Sequence, residues 1–273
     1  MTRQPKTYFI SDLHLTPDRP DVIIAFFDFL RYGLDDAEKL YILGDLFEYW
    51  IGDDAANLLG ARLILERMHQ VANKIPCFFI AGNRDFLVGE EFSSRSGFQL
   101  IEDESLIDLY GTNTLLLHGD SLCTDDAAHQ KFRREISTNK KWHDDILCLT
   151  IRERIKVATK ARADSKQHKS QVSMKIMDVT EDAVITAFKQ ANVTQIIHGH
   201  THRQDVHDYL IDDKACKRYV LGDWDQSASV MVASENGLQI NNFTIKKPRP
   251  SLVLFYFRIR NQAIKLLSFF NKS

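Results

Sequence analysis

No run of this sequence approaches the ~18 consecutive apolar residues that a membrane-spanning helix requires. Met1 to Lys6 carry no apolar core of the kind that directs secretion, so a cytoplasmic protein is expected. The four cysteines, Cys77, Cys123, Cys148 and Cys216, form no Cys-x-x-Cys pair. Three of them sit in apolar or strand-like contexts, as reduced, buried thiols do. No serine or cysteine has a setting that would activate it as a nucleophile, so covalent catalysis is not expected. There is no low-complexity tract, and no internal repeat beyond the strand-end pattern described below.

Net charge is also scarce, at −2 over 273 residues, but the balance hides an asymmetry. Residues 131–175 hold thirteen Lys/Arg against five Asp/Glu, and residues 236–273 hold seven with no acid, leaving about −17 on the remainder. Two basic segments on an acidic core fit an anionic partner, either nucleic acid or a lipid surface; solvated helix faces fit as well.

What is present is one event repeated five times: a short apolar strand running into Asp, His or Asn. Tyr8-Phe9-Ile10 leads to Asp12 and His14, and Leu40-Tyr41-Ile42 leads through Gly44 to Asp45. Cys77–Ile80 leads through Gly82 to Asn83, Leu115–Leu117 leads to His118, and Ile196-Ile197 leads through Gly199 to His200 and His202. Side chains one turn beyond a strand stand at the carboxyl edge of a sheet, where α/β proteins hold ligands. Glycines keep such turns tight.

The strands alternate with helical patterns. Pro20 and Gly33 bracket a helix around Val22–Leu30, and Leu58 to Ala72 reads as a second. Strands at 106–109 and 114–117 flank Tyr110-Gly111-Thr112-Asn113, a hairpin signal. From Thr124 to about Ser173 the strand pattern stops and helices are expected over Asp126–Ile136 and Ile146–Ala161. This insertion lies between two ligand-bearing strand ends and reads as a cap over the site. Asp178-Val179-Thr180-Glu181 has capping-box spacing and opens a helix through Ala191. Short strands, expected to be antiparallel, follow at 206–211, 218–221, 230–233 and 238–243. The reading is an α/β domain over 1–245 with a cap at about 124–173, then a basic amphipathic extension over 246–273. That extension could lie in a membrane interface or pack on the domain.

Asp12, His14, Asp45, Asn83, His118, His200 and His202 exceed what one four- to six-coordinate ion needs, but suit two that share a carboxylate. Mixed imidazole and oxygen donors favour manganese, iron or zinc in a hydrolytic site over a structural zinc. Two such ions can activate water and stabilise charge developing in a displacement at phosphorus. His198 reads as a structural member of this motif, and His69, His129, His143, His168 and His207 as ordinary surface or satisfied residues.

The ordered set Asp12-x-His14, Gly44-Asp45, Gly82-Asn83, His118-Gly119 and Gly199-His200-x-His202 resembles the calcineurin-like metallophosphoesterases. That resemblance implies a two-sheet αββα core, with one metal on Asp12, His14, Asp45 and His202 and a second on Asp45, Asn83, His118 and His200. Where the family commonly has His after Gly-Asn, this chain has Arg84. Arginine is a poor proton donor but a good phosphate clamp, which suits a leaving group that needs no proton, as in pyrophosphate cleavage. Asp45 and Arg84 are therefore the expected catalytic residues.

Over about residues 7–243 the chain further resembles the branch that hydrolyses UDP-2,3-diacylglucosamine in the lipid A pathway of Gram-negative bacteria. The matching runs include Tyr41 to Asp54, Gly82-Asn83-Arg84-Asp85-Phe86-Leu87, His118 to Asp126, Arg162-Ala163-Asp164-Ser165-Lys166 and Ile176–Val179. This likeness implies two manganese ions per chain, with other divalent ions possible, and a monomer on the cytoplasmic face of the inner membrane with no nucleic-acid partner. It implies substrate contacts at Asn83, Arg84, Asp126, Ser165 and His200. His129, Lys169 and Val172 stand where that branch usually has Tyr, Asn and Lys, and Lys169 and Val172 are further candidate contacts. A phosphoesterase acting on another nucleotide or phosphodiester is the alternative.

Overall fold

The computed structural model describes residues 4–171 and 176–247, the side chains of 166–171 excepted. Val172 and nearly all of the 246–273 extension lie outside the described residues. Two sheets form the core. The first has the order β11-β10-β1-β2-β3-β4, built from β1 (Lys6–Ile10), β2 (Ala37–Leu43), β3 (Cys77–Ile80), β4 (Gln99–Leu100), β10 (Ser227–Ser234) and β11 (Gly237–Thr244). The second has the order β5-β6-β7-β9-β8, built from β5 (Ser105–Leu109), β6 (Thr112–Leu116), β7 (Gln195–His198), β8 (Asp205–Ile211) and β9 (Lys214–Val220).

Strand periodicity sets the layers, because successive side chains point to opposite faces. In β1, Tyr8 and Ile10 face the helices while Phe9 faces the other sheet; in β2, Leu40 and Ile42 go one way, Tyr41 and Leu43 the other. Helices α1 (Pro20–Tyr32), α2 (Arg62–Ala72) and α3 (Glu90–Ser96) cover the outer face of the first sheet. Leu115, Leu117 and Ile196 of the second sheet pack against Val184 and Phe188 of α7 (Glu181–Ala191). Between the sheets, Phe9 stacks on Tyr41 at 5.1 Å and Tyr41 on Phe78 at 4.7 Å. Each such ring, fully buried, contributes roughly 1.5–3 kcal/mol. The architecture is the expected αββα sandwich.

Some boundaries differ from expectation. The second helix begins at Arg62, not Leu58, because Gly60 turns the chain at φ +75°. Tyr110 and Gly111 both take positive φ, which narrows the expected hairpin loop to two residues between β5 and β6. Thr180, not Asp178, precedes α7, and its hydroxyl bonds Thr124 Oγ1 at 2.6 Å without capping the helix. The late strands pair antiparallel with one another as expected, β8 with β9 and β10 with β11, while β9 also runs parallel to the earlier β7.

In the inserted segment, α4 (Ala127–Phe132) continues into a π turn over Arg133–Ser137, and α5 (Lys140–Leu147) and α6 (Ile151–Gln171) follow. The helix expected over 146–161 is interrupted at Cys148–Thr150. The run Trp50–Asp54 is the joint that holds this segment. Asp53 accepts from Trp50 Nε1 at 2.8 Å and, at the start of α3, from the backbone N–H groups of Gly89 and Phe92. Arg154 of α6, buried, donates to Ile51 O at 2.6 Å and to Asp54. A Cβ on Gly52 would meet Arg154 Nη1 at 2.3 Å, so glycine is required at that joint. No helix among the described residues is long and apolar enough to cross a membrane.

Candidate active site

The carboxyl ends of β1, β2, β3, β6 and β7 converge where the two sheets meet. The segment after β1 stays beside the one after β2: Asp12 N–H donates to Gly44 O at 3.1 Å and His14 N–H to Asp45 O at 3.0 Å. Gly44 lets the second sheet approach, since a Cβ there would lie 2.5 Å from His118 Nδ1. Asp12, His14, Asp45, His200 and His202 all hold positive φ, between 48° and 67°. These kinks turn consecutive side chains toward one centre.

Asp12 is fully buried. Its Oδ2 accepts from Ser11 Oγ at 2.6 Å and from His200 N–H at 2.9 Å. Its Oδ1 lies 3.3 Å from His202 Nε2 without completing a hydrogen bond. His202 Nε2 is in turn 3.3 Å from His14 Nε2. Asp45 stands between two groups, with Oδ2 4.0 Å from His14 Nε2 and Oδ1 3.7 Å from His118 Nε2. On the far side, His118 Nε2 and His200 Nδ1 both aim at Asn83 Oδ1, at 3.1 and 3.0 Å. Ligand atoms of Asp12, His14 and His202 lie within 4.8 Å of one another, as do those of Asp12, Asp45 and His118. All seven sequence candidates are thus in one cluster.

The donor set fits cations. Burial works against charge on Asp12, yet contact with His202 and the fields of His118 and His14 hold its carboxyl well below the usual range. Burial likewise opposes charge on His118, but Asp45 and Asp12 raise it to about 9. His202 is raised to about 10, against burial, by Asp12 and Asp223. Burial lowers His14, and burial with His118 lowers His200 far. Carboxylates and imidazoles this close need positive charge between them, and either protons or metal ions can supply it.

Supporting groups surround the cluster. Asp85 accepts backbone N–H groups of Asp45, Leu46, Phe47 and Gly82 at 2.7–3.2 Å, which fixes the Asp45 turn. His118 Nδ1 bonds Leu43 O at 2.9 Å. Asp223 Oδ2 is 3.2 Å from His202 Nδ1, and Glu48 Oε2 is 3.5 Å from His14 Nδ1. Glu48 Oε1 also receives Arg162 of α6 at 2.6 Å. His198 is structural: buried, bonded to Gly199 O and Arg218, and lowered to about 3 by burial and by Arg218.

Arg84 lines a cavity of about 420 Å³ beside the cluster. Its backbone N–H donates to Asp45 Oδ1 at 2.8 Å, and among the described ion pairs its guanidinium has no carboxylate partner. Asp126 caps α4 through His129 N–H at 2.9 Å, and Ser165 lies on α6, three residues beyond Arg162. Lys169 falls in α6 with its side chain outside the described residues. His129 is not an ordinary surface residue: its ring packs 5.1 Å from that of His200, and Nε2 is 3.5 Å from Asp120 Oδ2. Glu48 and Asp223 are the groups that sequence reasoning passed over, and His129 was singled out only as a departure from the usual Tyr. Asp223 had a signal, since Tyr219-Val220-Leu221-Gly222-Asp223 repeats the strand–glycine–acid event used for Asp45.

The sequence profile of the calcineurin-like phosphoesterases matches residues 5–204. A protein of Shewanella sp. (strain ANA-3) named UDP-2,3-diacylglucosamine hydrolase is 44% identical over 238 residues, covering 87% of this chain and 97% of that one. Its namesake from Histophilus somni is 44% identical over 236 residues, covering 86% and 98%. Among solved structures, an archaeal phosphodiesterase aligns over 88% of this chain and 99% of its own at 12% identity and a TM-score of 0.45, a likeness too loose to weigh.

Proposed function

The chain belongs to the calcineurin-like phosphoesterase family, and from that premise we propose that it cleaves the pyrophosphate bond of UDP-2,3-diacylglucosamine, yielding UMP and 2,3-diacylglucosamine 1-phosphate for lipid A synthesis. The observation that carries this reading is the convergence of seven donor side chains at five strand ends, in a chain 44% identical to relatives of that name.

Asp12, His14, Asp45 and His202 would hold one manganese ion, and Asp45, Asn83, His118 and His200 a second. Bound there, the ions supply Lewis-acid charge at the phosphoryl oxygens and activate water. The residues do the rest. Asp85 and the Arg84 N–H hold the Asp45 carboxylate in place. The Arg84 guanidinium, which has no carboxylate partner among the described residues, is available to clamp pyrophosphate oxygens. A phosphate monoester leaves without needing a proton, so arginine suffices where other phosphoesterases place histidine.

Asn83, Arg84, Asp126, Ser165 and His200 contact the substrate in this reading, with Lys169 and Val172 joining them by position. Helices α4–α6 cap the acyl chains and the sugar. Exposed Leu147, Leu149 and Val157 beside exposed Arg152, Lys156 and Lys160 support contact with an anionic bilayer, as a monomer peripheral to the inner membrane. The deciding experiment is incubation with UDP-2,3-diacylglucosamine and manganese, with and without chelator, following UMP. Chelator-sensitive release is expected; no release overturns the reading.

A further inference from the structure

The cavity beside the cluster is lined mainly by segments outside the cap. Among the described side chains of α4–α6 only Arg162 reaches it, and it opens between the loop from β1 to α1 and the loop from β9 to β10. The cap instead stands over the other flank, where His129 meets His200, and Phe132, Trp142 and His143 gather around Phe86 at 5.3–6.0 Å. A phosphorus atom held at the cluster therefore has two directions for its substituents, one under an aromatic cap and one into this cavity.

The walls decide which substituent goes where. Thr16, Asp18, Arg19, Asp223 and Asp225 give the cavity polar walls, and Leu13, Val22 and Trp224 give it apolar ones, the mixture a base and its ribose require. Acyl chains would leave these groups desolvated, whereas a nucleoside can bond with them. The volume, about 420 Å³, falls within the ~300–1,000 Å³ of small-molecule sites. Its rim is braced. Arg19 donates to Asp225 Oδ1 and to Asp225 O, each at 2.7 Å, and is itself held by Asp21 at 2.8–3.2 Å. Asp225, more than half exposed, lines the cavity, and its Oδ2 takes part in none of these bonds, which leaves a braced carboxylate oxygen able to accept from a ligand. Carboxylates in this role accept the hydroxyls of a ribose.

We propose that this cavity is the nucleoside subsite, with the ribose diol donating to Asp225 and the base lying along Thr16–Arg19. The inference rests on the UDP-lipid reading above and adds a location and a recognition group to it. The cap then sorts the lipid half and the β1–α1 loop the nucleotide half of one substrate.

The test compares UMP with 2′,3′-dideoxyuridine monophosphate, binding each by calorimetry to the manganese-loaded full chain. Wild type should prefer UMP by about tenfold or more, the worth of one or two hydrogen bonds to a charged group. Asp225→Ala should lose that preference while binding manganese and the dideoxy nucleotide as wild type does. Arg19→Ala, which frees Asp225 without removing it, should keep a reduced preference. Equal binding of both nucleotides to wild type overturns the subsite, and so does an undiminished preference in Asp225→Ala. Release of UMP from the lipid substrate is measured on the same preparation. Release without a diol preference overturns the subsite alone, and absence of release overturns the function it rests on.

Discussion

Asp45 and His118 are 2% and 1% exposed, whereas the side chains of His14 and His202 keep 21% and 30% of their surface open. The inner pair is held by the main chain: Asp45 through the turn that Asp85 secures, His118 through Leu43 O. The outer pair leans on two acids from separate loops, Glu48 and Asp223. One half of the cluster is therefore built by the sandwich itself, and the other half is tuned from its surface. A ligand fixed by backbone cannot be reoriented without moving a sheet, but one fixed by a side chain can be detuned by a single substitution.

The sharpest way to break the distinction is Asp45→Asn. That carboxylate faces both halves, so turnover should fall about 10²–10³-fold while the thermal melt stays cooperative, the size seen when a preorganised charge-stabilising group is lost. Near-normal UMP release in that variant would contradict a shared ligand. Glu48→Gln and Asp223→Asn should each cost about 10–100-fold in manganese affinity at the outer half only. Titration monitored by electron paramagnetic resonance should then show one site weakened and one untouched, and equal weakening of both would erase the comparison.

Protons give a third handle. In the metal-free site His118 is raised to about 9 and His202 to about 10, so both are protonated at pH 7. Metal requires the neutral ring, so binding releases protons and affinity rises with pH, about tenfold per unit for each proton, until those values are passed. Calorimetry in buffers of differing ionisation enthalpy should find about two protons released at pH 7, and fewer in Asp223→Asn, where Asp12 alone still raises His202. The smallest effect is expected for Arg162→Ala. It removes the Glu48 contact on a partly exposed pair, worth about 1 kcal/mol, so KM should rise a few-fold with kcat nearly unchanged.

The seven ligand candidates were legible because each follows an apolar strand at a sharp turn, a pattern carried by adjacent residues. The layers were legible for the same reason, since alternation along β1 and β2 is local. What joins distant segments was not. Asp103 receives the His118 N–H at 2.8 Å and also pairs with Arg133, linking two loops and the cap, and no spacing announces it. The parallel alignment of β9 with β7 depends on which strand of the β8–β9 hairpin docks, which the alternation of either strand leaves open. His129 looked ordinary because its partner, His200, is more than seventy positions away.

Five of the seven cluster residues sit in the left-handed backbone region, which costs a non-glycine residue about 1 kcal/mol each. Their sum is comparable to the ~5–15 kcal/mol net stability of a domain. Ions that bind only the folded chain offset that cost by mass action, so the fraction folded depends on how much metal is free. Metal scarcity then acts on how long each molecule survives in the cell as well as on how fast it turns over.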